Sequence, residues 1–223
     1  QTRYFAHRGF AVLAPDLPGH GLSGGAPLTS ISDMADWVDG LLASLGVAQV
    51  KLVGHSQGVL VALETASRHP ERVAALTLIA GAMAIPVNDA LIEMSQSAPE
   101  KAYRMMTSWG HGPGAHKFDN TQPGHAFLGY GRRVMAQNDG AALHADLVAC
   151  NSYDGGKDAA TSVTKPSLCL LAGKDKMTPV KFGRKMAEQI SGAQCHVFER
   201  AGHFLPAEFP IEVNDAMAAF LSR

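Results

Sequence analysis

One serine, one aspartate and one histidine, far apart in the chain, occupy the same kind of position and together carry its chemistry. Ser56 lies in Gly54-His55-Ser56-Gln57-Gly58, between the apolar run Gln49-Val50-Lys51-Leu52-Val53 and a helical pattern through Val59, Leu60, Ala62 and Leu63 to Arg68. A buried strand that turns straight into a helix at Gly-x-Ser-x-Gly makes a strained turn and lifts the serine out of the sheet. Side chains at Gly54 and Gly58 are expected to collide with neighbouring backbone. The free N–H groups at the start of the helix then favour negative charge developing beside the serine. Taken alone, the five residues equally describe an ordinary strand–helix turn with a serine N-cap.

An acid and a base follow in register. Ser167-Leu168-Cys169-Leu170-Leu171 reads as a second buried strand, running into Ala172-Gly173-Lys174-Asp175. A carboxylate just beyond the C-terminal end of a parallel strand lies at the edge where open α/β sheets build their sites. Thr178 and Pro179 are expected to start the next helix, as N-cap and first helical residue. Gln194-Cys195-His196-Val197-Phe198-Glu199 reads as a third strand ending at Arg200-Ala201-Gly202-His203-Phe204. His203 is thereby placed on a loop at the same edge, ahead of a C-terminal helix over residues 210–221. Singly, Asp175 would be a turn-former and His203 a solvated side chain. Together they give the order Ser56, Asp175, His203, which differs from the orders of the chymotrypsin and subtilisin classes.

Two blocks of alternating strands and helices must position these residues. The first spans residues 1–81: the end of a helix, a strand over 10–15, a helix over 32–45, the serine strand and helix, and a strand over 73–80. In the second helix Met34, Trp37, Val38, Leu41, Leu42 and Leu45 share a face. The second block spans 165–223. Such alternation predicts an α/β fold with a doubly wound, mostly parallel sheet. Residues 82–164 differ in character. Segments 87–97, 99–109, 124–137 and 140–150 read as short helices, with Pro99 at a first helical position, Asp139 as an N-cap and a Gly-rich turn at 110–114. Met83, Met94, Met105, Met106 and Met135 lie here, with Trp109, Phe118, Phe127 and Tyr130. The functional reading is a pliable apolar lining for a substrate, with Trp109, Met105 and Phe127 as candidates; the plain alternative is helix packing.

The chain resembles the α/β-hydrolase superfamily, in its branch of capped serine esterases and related hydrolases. The Gly-x-Ser-x-Gly elbow carries that resemblance. So does Phe10-Ala11-Val12-Leu13-Ala14-Pro15 followed by Asp16-Leu17-Pro18-Gly19-His20-Gly21-Leu22-Ser23, which is similar to the family's strand and Asp-x-x-Gly-x-Gly-x-Ser loop. The resemblance implies that Ser56, Asp175 and His203 are nucleophile, acid and base, and that residues 82–164 form a helical cap. Some members place the acid after the preceding strand, but here Gly81-Ala82-Met83 follows Ala80 and offers no carboxylate. The implied activity is hydrolysis of a small or medium carboxylic ester, or related acyl bond, through an acyl-enzyme. The backbone N–H of Gln57 is one implied oxyanion donor. The family's sheet order further implies first strands ahead of Gln1, a slot between residues 10–15 and 49–53, and a second oxyanion donor upstream. Acyl transfer, C–C bond hydrolysis and perhydrolase or haloperoxidase chemistry use the same triad and stay open, as does a receptor that has kept the fold.

Length and composition suit a single α/β domain. The 223 residues can bury a sizeable core, and the net charge of −1 carries no basic run that would suit nucleic acid. No stretch is long and apolar enough to span a bilayer. Of three cysteines, Cys169 and Cys195 fall in expected buried strands and Cys150 has no CxxC partner, which points to a reducing compartment and a cytoplasmic location. His111, His116, His125 and His144 are scattered without metal-ligand spacing, so neither a metal nor another cofactor is expected. His55 is expected to pack beneath the turn without a chemical role. The expected partner is a small ester-like molecule.

Overall fold

The computed structural model describes residues 1–118, 126–138 and 140–222, with the side chains of Phe118 and Phe127 outside that description. The chain opens with a short helix α1 (Thr2–Ala6) and, after a long loop, α2 (Ile31–Ser44). Ser30 caps α2 by accepting the Asp33 N–H at 3.0 Å. Strand β1 (Val50–His55) and helix α3 (Gln57–Arg68) meet at Ser56, and β2 (Val73–Ile79) follows. Six helices come next: α4 (Asp89–Ser97), α5 (Pro99–Gly110), α6 (Pro113–Phe118), α7 (Phe127–Met135), α8 (Gly140–Ser152) and α9 (Gly156–Ser162). The chain ends as β3 (Ser167–Ala172), α10 (Val180–Gln189), β4 (Gln194–Phe198), α11 (Leu205–Glu208) and α12 (Pro210–Leu221).

The four strands pair in the order β1-β2-β3-β4, all parallel. Helices cover both faces. On one, Val59, Leu63 and Ala66 of α3 and Met186 of α10 pack on Leu76, Leu78, Cys169 and Leu171. On the other, Phe5, Val213, Met217 and Phe220 pack on Ala75, Ile79, Leu168 and Leu170. Alternate residues of a strand point to opposite faces, so two apolar sets on one strand require a sheet buried on both sides. This is the doubly wound α/β architecture. No helix among the described residues is long and apolar enough to cross a membrane.

Several expectations are corrected. Residues 10–15 form no strand among the described residues, and Val12 and Leu13 are exposed. An extended segment becomes a strand only by pairing, and this one has no strand beside it. Likewise β1 has no strand among the described residues on its side away from β2, and Lys51 and Val53 are exposed where a buried strand was expected. Cys195 lies on the edge strand β4 and is exposed, unlike Cys169. Leu45 is the exposed C-cap residue of α2 rather than part of its apolar face. Thr178 does not cap α10: the N-cap position is Pro179, and the Thr178 hydroxyl is engaged elsewhere. The 110–114 stretch is only partly a turn, since α6 begins within it at Pro113, and Asn88 caps α4 through its side chain. Asp139, Gly124 and His125 lie outside the described residues.

Candidate active site

The end of β1 and the start of α3 force Ser56 into a backbone conformation that few residues tolerate. Its φ is 55° and ψ −120°, which costs on the order of 1–3 kcal/mol for a residue with a Cβ. The turn is held from both sides: Ser56 N–H donates to Ile79 O at 3.0 Å, and Ser56 O accepts from Val59 N–H at 2.8 Å. Of the two elbow glycines only Gly54 is sterically required. A Cβ there would overlap the carbonyl of Gly58, whereas a Cβ on Gly58 would meet nothing. The expected collision at Gly58 is therefore absent. Gln57 is the first residue of α3, so its N–H has no acceptor within the helix.

Asp175 and His203 approach from the ends of β3 and β4. His203 Nε2 lies 2.8 Å from Ser56 Oγ, and His203 Nδ1 lies 2.8 Å from Asp175 Oδ2. Both side chains of the Asp175–His203 pair are almost fully withdrawn from solvent. Asp175 Oδ1 accepts the backbone N–H groups of Met177 and Thr178, each at 2.8 Å. Burial alone would raise the Asp175 pKa. The hydrogen bond to His203, the charge of that ring and the Thr178 donors outweigh it, so the carboxyl is held below its ordinary value. A carboxylate facing Nδ1 fixes the Nδ1–H tautomer, leaving Nε2 as the acceptor that faces the serine hydroxyl. The three residues singled out by sequence are thus brought into one hydrogen-bonded chain.

Four residues support the triad in roles that the sequence reading did not give them. Thr178 Oγ1 lies 2.8 Å from both Ala80 O and Asp175 Oδ2, and 3.3 Å from His203 Nδ1. Ala80 itself has φ 45°, unusual outside glycine, and its strained peptide presents that carbonyl. His55 Nε2 lies 2.7 Å from the His203 carbonyl, and the two rings are 4.9 Å apart. Burial first, and then the like charge of His203, push the His55 pKa down to about 4. A neutral ring with Nε2–H donates to that carbonyl, so His55 braces the backbone of the base. Glu208 is the fourth, and binds the same loop from behind. A Gly-x-Ser-x-Gly match already contained His55; the others carry no local sequence signal.

The remaining sequence candidates have other surroundings. Met105 packs with Leu91, Ala102, Met106 and Leu147. Trp109 stands on α5 and is 41% exposed. The Phe127 side chain lies outside the described residues. Among the histidines, His111 is buried, with Nδ1 2.8 Å from Thr107 O. His116 lies 2.8 Å from Ser108 O, and His144 lies 3.1 Å from Ser95 Oγ. Among the described residues, Asp39, His69 and Glu71 bring ligand-type atoms within 4.8 Å of one another. Asp39 is already ion-paired with Arg72 at 2.6 Å and His69 hydrogen-bonded to Asp36 at 2.8 Å, so these groups have partners of their own.

Comparison with known proteins agrees with this architecture. Residues 2–216 match the model of the Alpha/beta hydrolase family. A pimeloyl-[acyl-carrier protein] methyl ester esterase of Neisseria meningitidis serogroup B is 29% identical over 206 residues, covering 86% of this chain and 75% of that protein. A 2-hydroxy-6-oxononadienedioate/2-hydroxy-6-oxononatrienedioate hydrolase of Burkholderia vietnamiensis is 27% identical over 231 residues, covering 98% and 79%. Among solved structures, the enol-lactonase of Burkholderia xenovorans LB400 superposes with a TM-score of 0.85 at 21% identity, over 93% of this chain and 79% of that one, a likeness of fold. With its parallel sheet, its serine turn and a family match along nearly its whole length, the chain belongs to the alpha/beta hydrolase family.

Proposed function

We propose that this protein is a serine hydrolase that cleaves a small or medium carboxylic ester, or a related acyl bond, with Ser56, His203 and Asp175 as its triad. The observation that carries the reading is the unbroken chain Ser56 Oγ–His203 Nε2 and His203 Nδ1–Asp175 Oδ2, both links 2.8 Å, anchored on a strained serine. In this mechanism Ser56 Oγ attacks the carbonyl carbon while its proton passes to His203 Nε2. Asp175 stabilises the imidazolium that forms. The oxyanion takes the N–H of Gln57, at the positive end of α3. His203 then protonates the leaving alcohol, and a water deprotonated by the same nitrogen releases the acyl group. None of these steps calls for a cofactor.

Helices α4–α8 are proposed as a cap over this site, with Trp109 and Met105 as apolar lining, while α9 packs into the core beside α3. The ester reading draws support from the relative named as a methyl ester esterase. Its test is labelling by a fluorophosphonate probe together with turnover of chromogenic esters of increasing acyl length. Ser56→Ala is expected to abolish labelling and lower kcat by about three powers of ten or more. Stoichiometric labelling of the Ser56→Ala protein would overturn the assignment.

A further inference from the structure

The loop that carries His203 is held at one backbone group of each of Gly202, His203 and Phe204, each by a different residue. Gly202 N–H donates to Glu208 Oε2 at 3.2 Å. The carbonyl of His203 accepts from His55 Nε2. Phe204 N–H donates to Gly110 O at 3.2 Å. Two of these grips lead to one place, because Glu208 Oε2 also accepts Gly112 N–H at 3.0 Å. One carboxylate oxygen therefore joins the base loop to the glycine-rich turn between α5 and α6.

The contact is backbone on backbone. A Cβ on Gly202 would overlap Gly112 N, and one on Gly112 would come within 2.7 Å of Gly202 N and 2.8 Å of Glu208 Oε2. A Cβ on Gly110 would overlap the Phe204 ring, whose centroid lies 4.6 Å from that of the buried His111 ring. Such proximity leaves no slack: a shift of the 110–114 turn moves residues 202–204 with it. Glu208 holds this position at a cost. Its second oxygen, Oε1, is buried and has no hydrogen-bond partner among the described residues. Burial pushes its pKa up, against the opposing pull of the Gly202 and Gly112 donors and of His111. An unsatisfied buried carboxylate oxygen is a feature that stability alone does not favour.

We infer that Glu208 is a positioning residue for the catalytic base, fixing the His203 imidazole against Ser56 and coupling it to the turn at residues 110–114. The inference rests on the triad reading above. Glu208 acts through His203 and does not touch the reacting atoms. Any movement of the intervening helices that accompanies substrate entry reaches the base through Gly112, Glu208 and Gly202. The charged and titratable groups around it are His111 from the turn, Asp175 from the acid loop, and Lys174 and Arg200, which line a 510 Å³ cavity beside Glu208.

Glu208→Gln keeps the shape and replaces a charged acceptor with a neutral one, so it is the informative variant. With p-nitrophenyl acetate, its kcat is expected to fall about tenfold with KM within about twofold, as a displaced but folded base requires. The downfield NMR resonance of the His203 Nδ1 proton, identified by its loss in His203→Gln, is expected to shift or broaden in the same variant. Wild-type kcat together with an unmoved resonance in folded Glu208→Gln would overturn the proposal. The wild-type protein supplies a test that needs no variant to fold. The Gly112 and Gly202 amide protons are expected to titrate together, with one apparent pKa above the ordinary glutamate value. Independent titrations, or none, would count against the shared anchor. Failure of the triad reading shows up separately, as absence of fluorophosphonate labelling at Ser56 in the wild type.

Discussion

At the scale of single residues the site is a set of buried polar atoms whose partners leave little choice of protonation state. Asp175 accepts from two backbone N–H groups and one imidazole, so it is an anion. His55 is the opposite case, a ring kept neutral by burial and by its neighbour His203. The folded pKa of His55, about 4, lies below the value near 6.5 of an unfolded histidine. Its contribution to stability is therefore fully present above pH ~6.5 and is lost as pH falls through about 4. Asp175 also has a lowered folded pKa, but its contribution fades in a lower window, as pH falls below the unfolded carboxylate value near 3.9. Thermal melts between pH 7 and 4 are expected to show a drop in wild-type Tm that is visibly shallower in His55→Gln, whose amide does not titrate. Parallel curves for the two proteins would remove His55 from this account.

At the scale of elements, the loop of residues 16–25 and helix α8 are joined by a histidine with acceptors on both sides. Asp16 organises the loop, taking Leu22 N–H at 3.0 Å on its carboxylate and the Ser23 hydroxyl at 2.7 Å on its carbonyl. His20 Nδ1 then faces Pro18 O at 3.0 Å and Nε2 faces Asp146 Oδ2 at 2.9 Å. Two acceptors call for two N–H donors, which only the imidazolium supplies. The hydrogen bond to Asp146 raises the His20 pKa, against partial burial that lowers it. A raised folded pKa means stability that is complete below pH ~6.5 and is lost as pH rises through the folded value. A double-mutant cycle on His20→Gln and Asp146→Asn is expected to give a coupling of about 1 kcal/mol at pH 6 for this partly buried pair. By pH 9 the coupling should vanish. A coupling that persists there would show that the contact does not depend on charge.

At the scale of the whole molecule, protection follows the sheet. Strands β2 and β3 are paired on both edges and covered on both faces, while residues 10–15 pair with no strand among the described residues. Amide hydrogen exchange is expected to be slowest in β2 and β3 and close to unprotected over residues 10–15, since opening free energy tracks local pairing and burial. Exchange over 10–15 as slow as in β3 would mean that this segment is paired after all.

Sequence alone determined the parts of this protein that rest on local pattern. The apolar strands ending at Ser56, Asp175 and His203, the helix after the elbow and the helix Pro210–Leu221 each follow from a run of side chains whose period selects the element. The short helices α6, α9 and α11 escaped that reading because four to seven residues carry too little period to identify them. Whether residues 10–15 would be a strand was beyond any local pattern, because a strand exists only through its partner. The same holds for the groups that hold the triad. Thr178 meets Ala80 O across 98 residues of chain, Glu208 meets Gly112 across 96, and His55 meets the His203 carbonyl across 148. Composition places a hydroxyl, a carboxylate or an imidazole in the chain, but only packing of the folded backbone decides which carbonyl or N–H it faces.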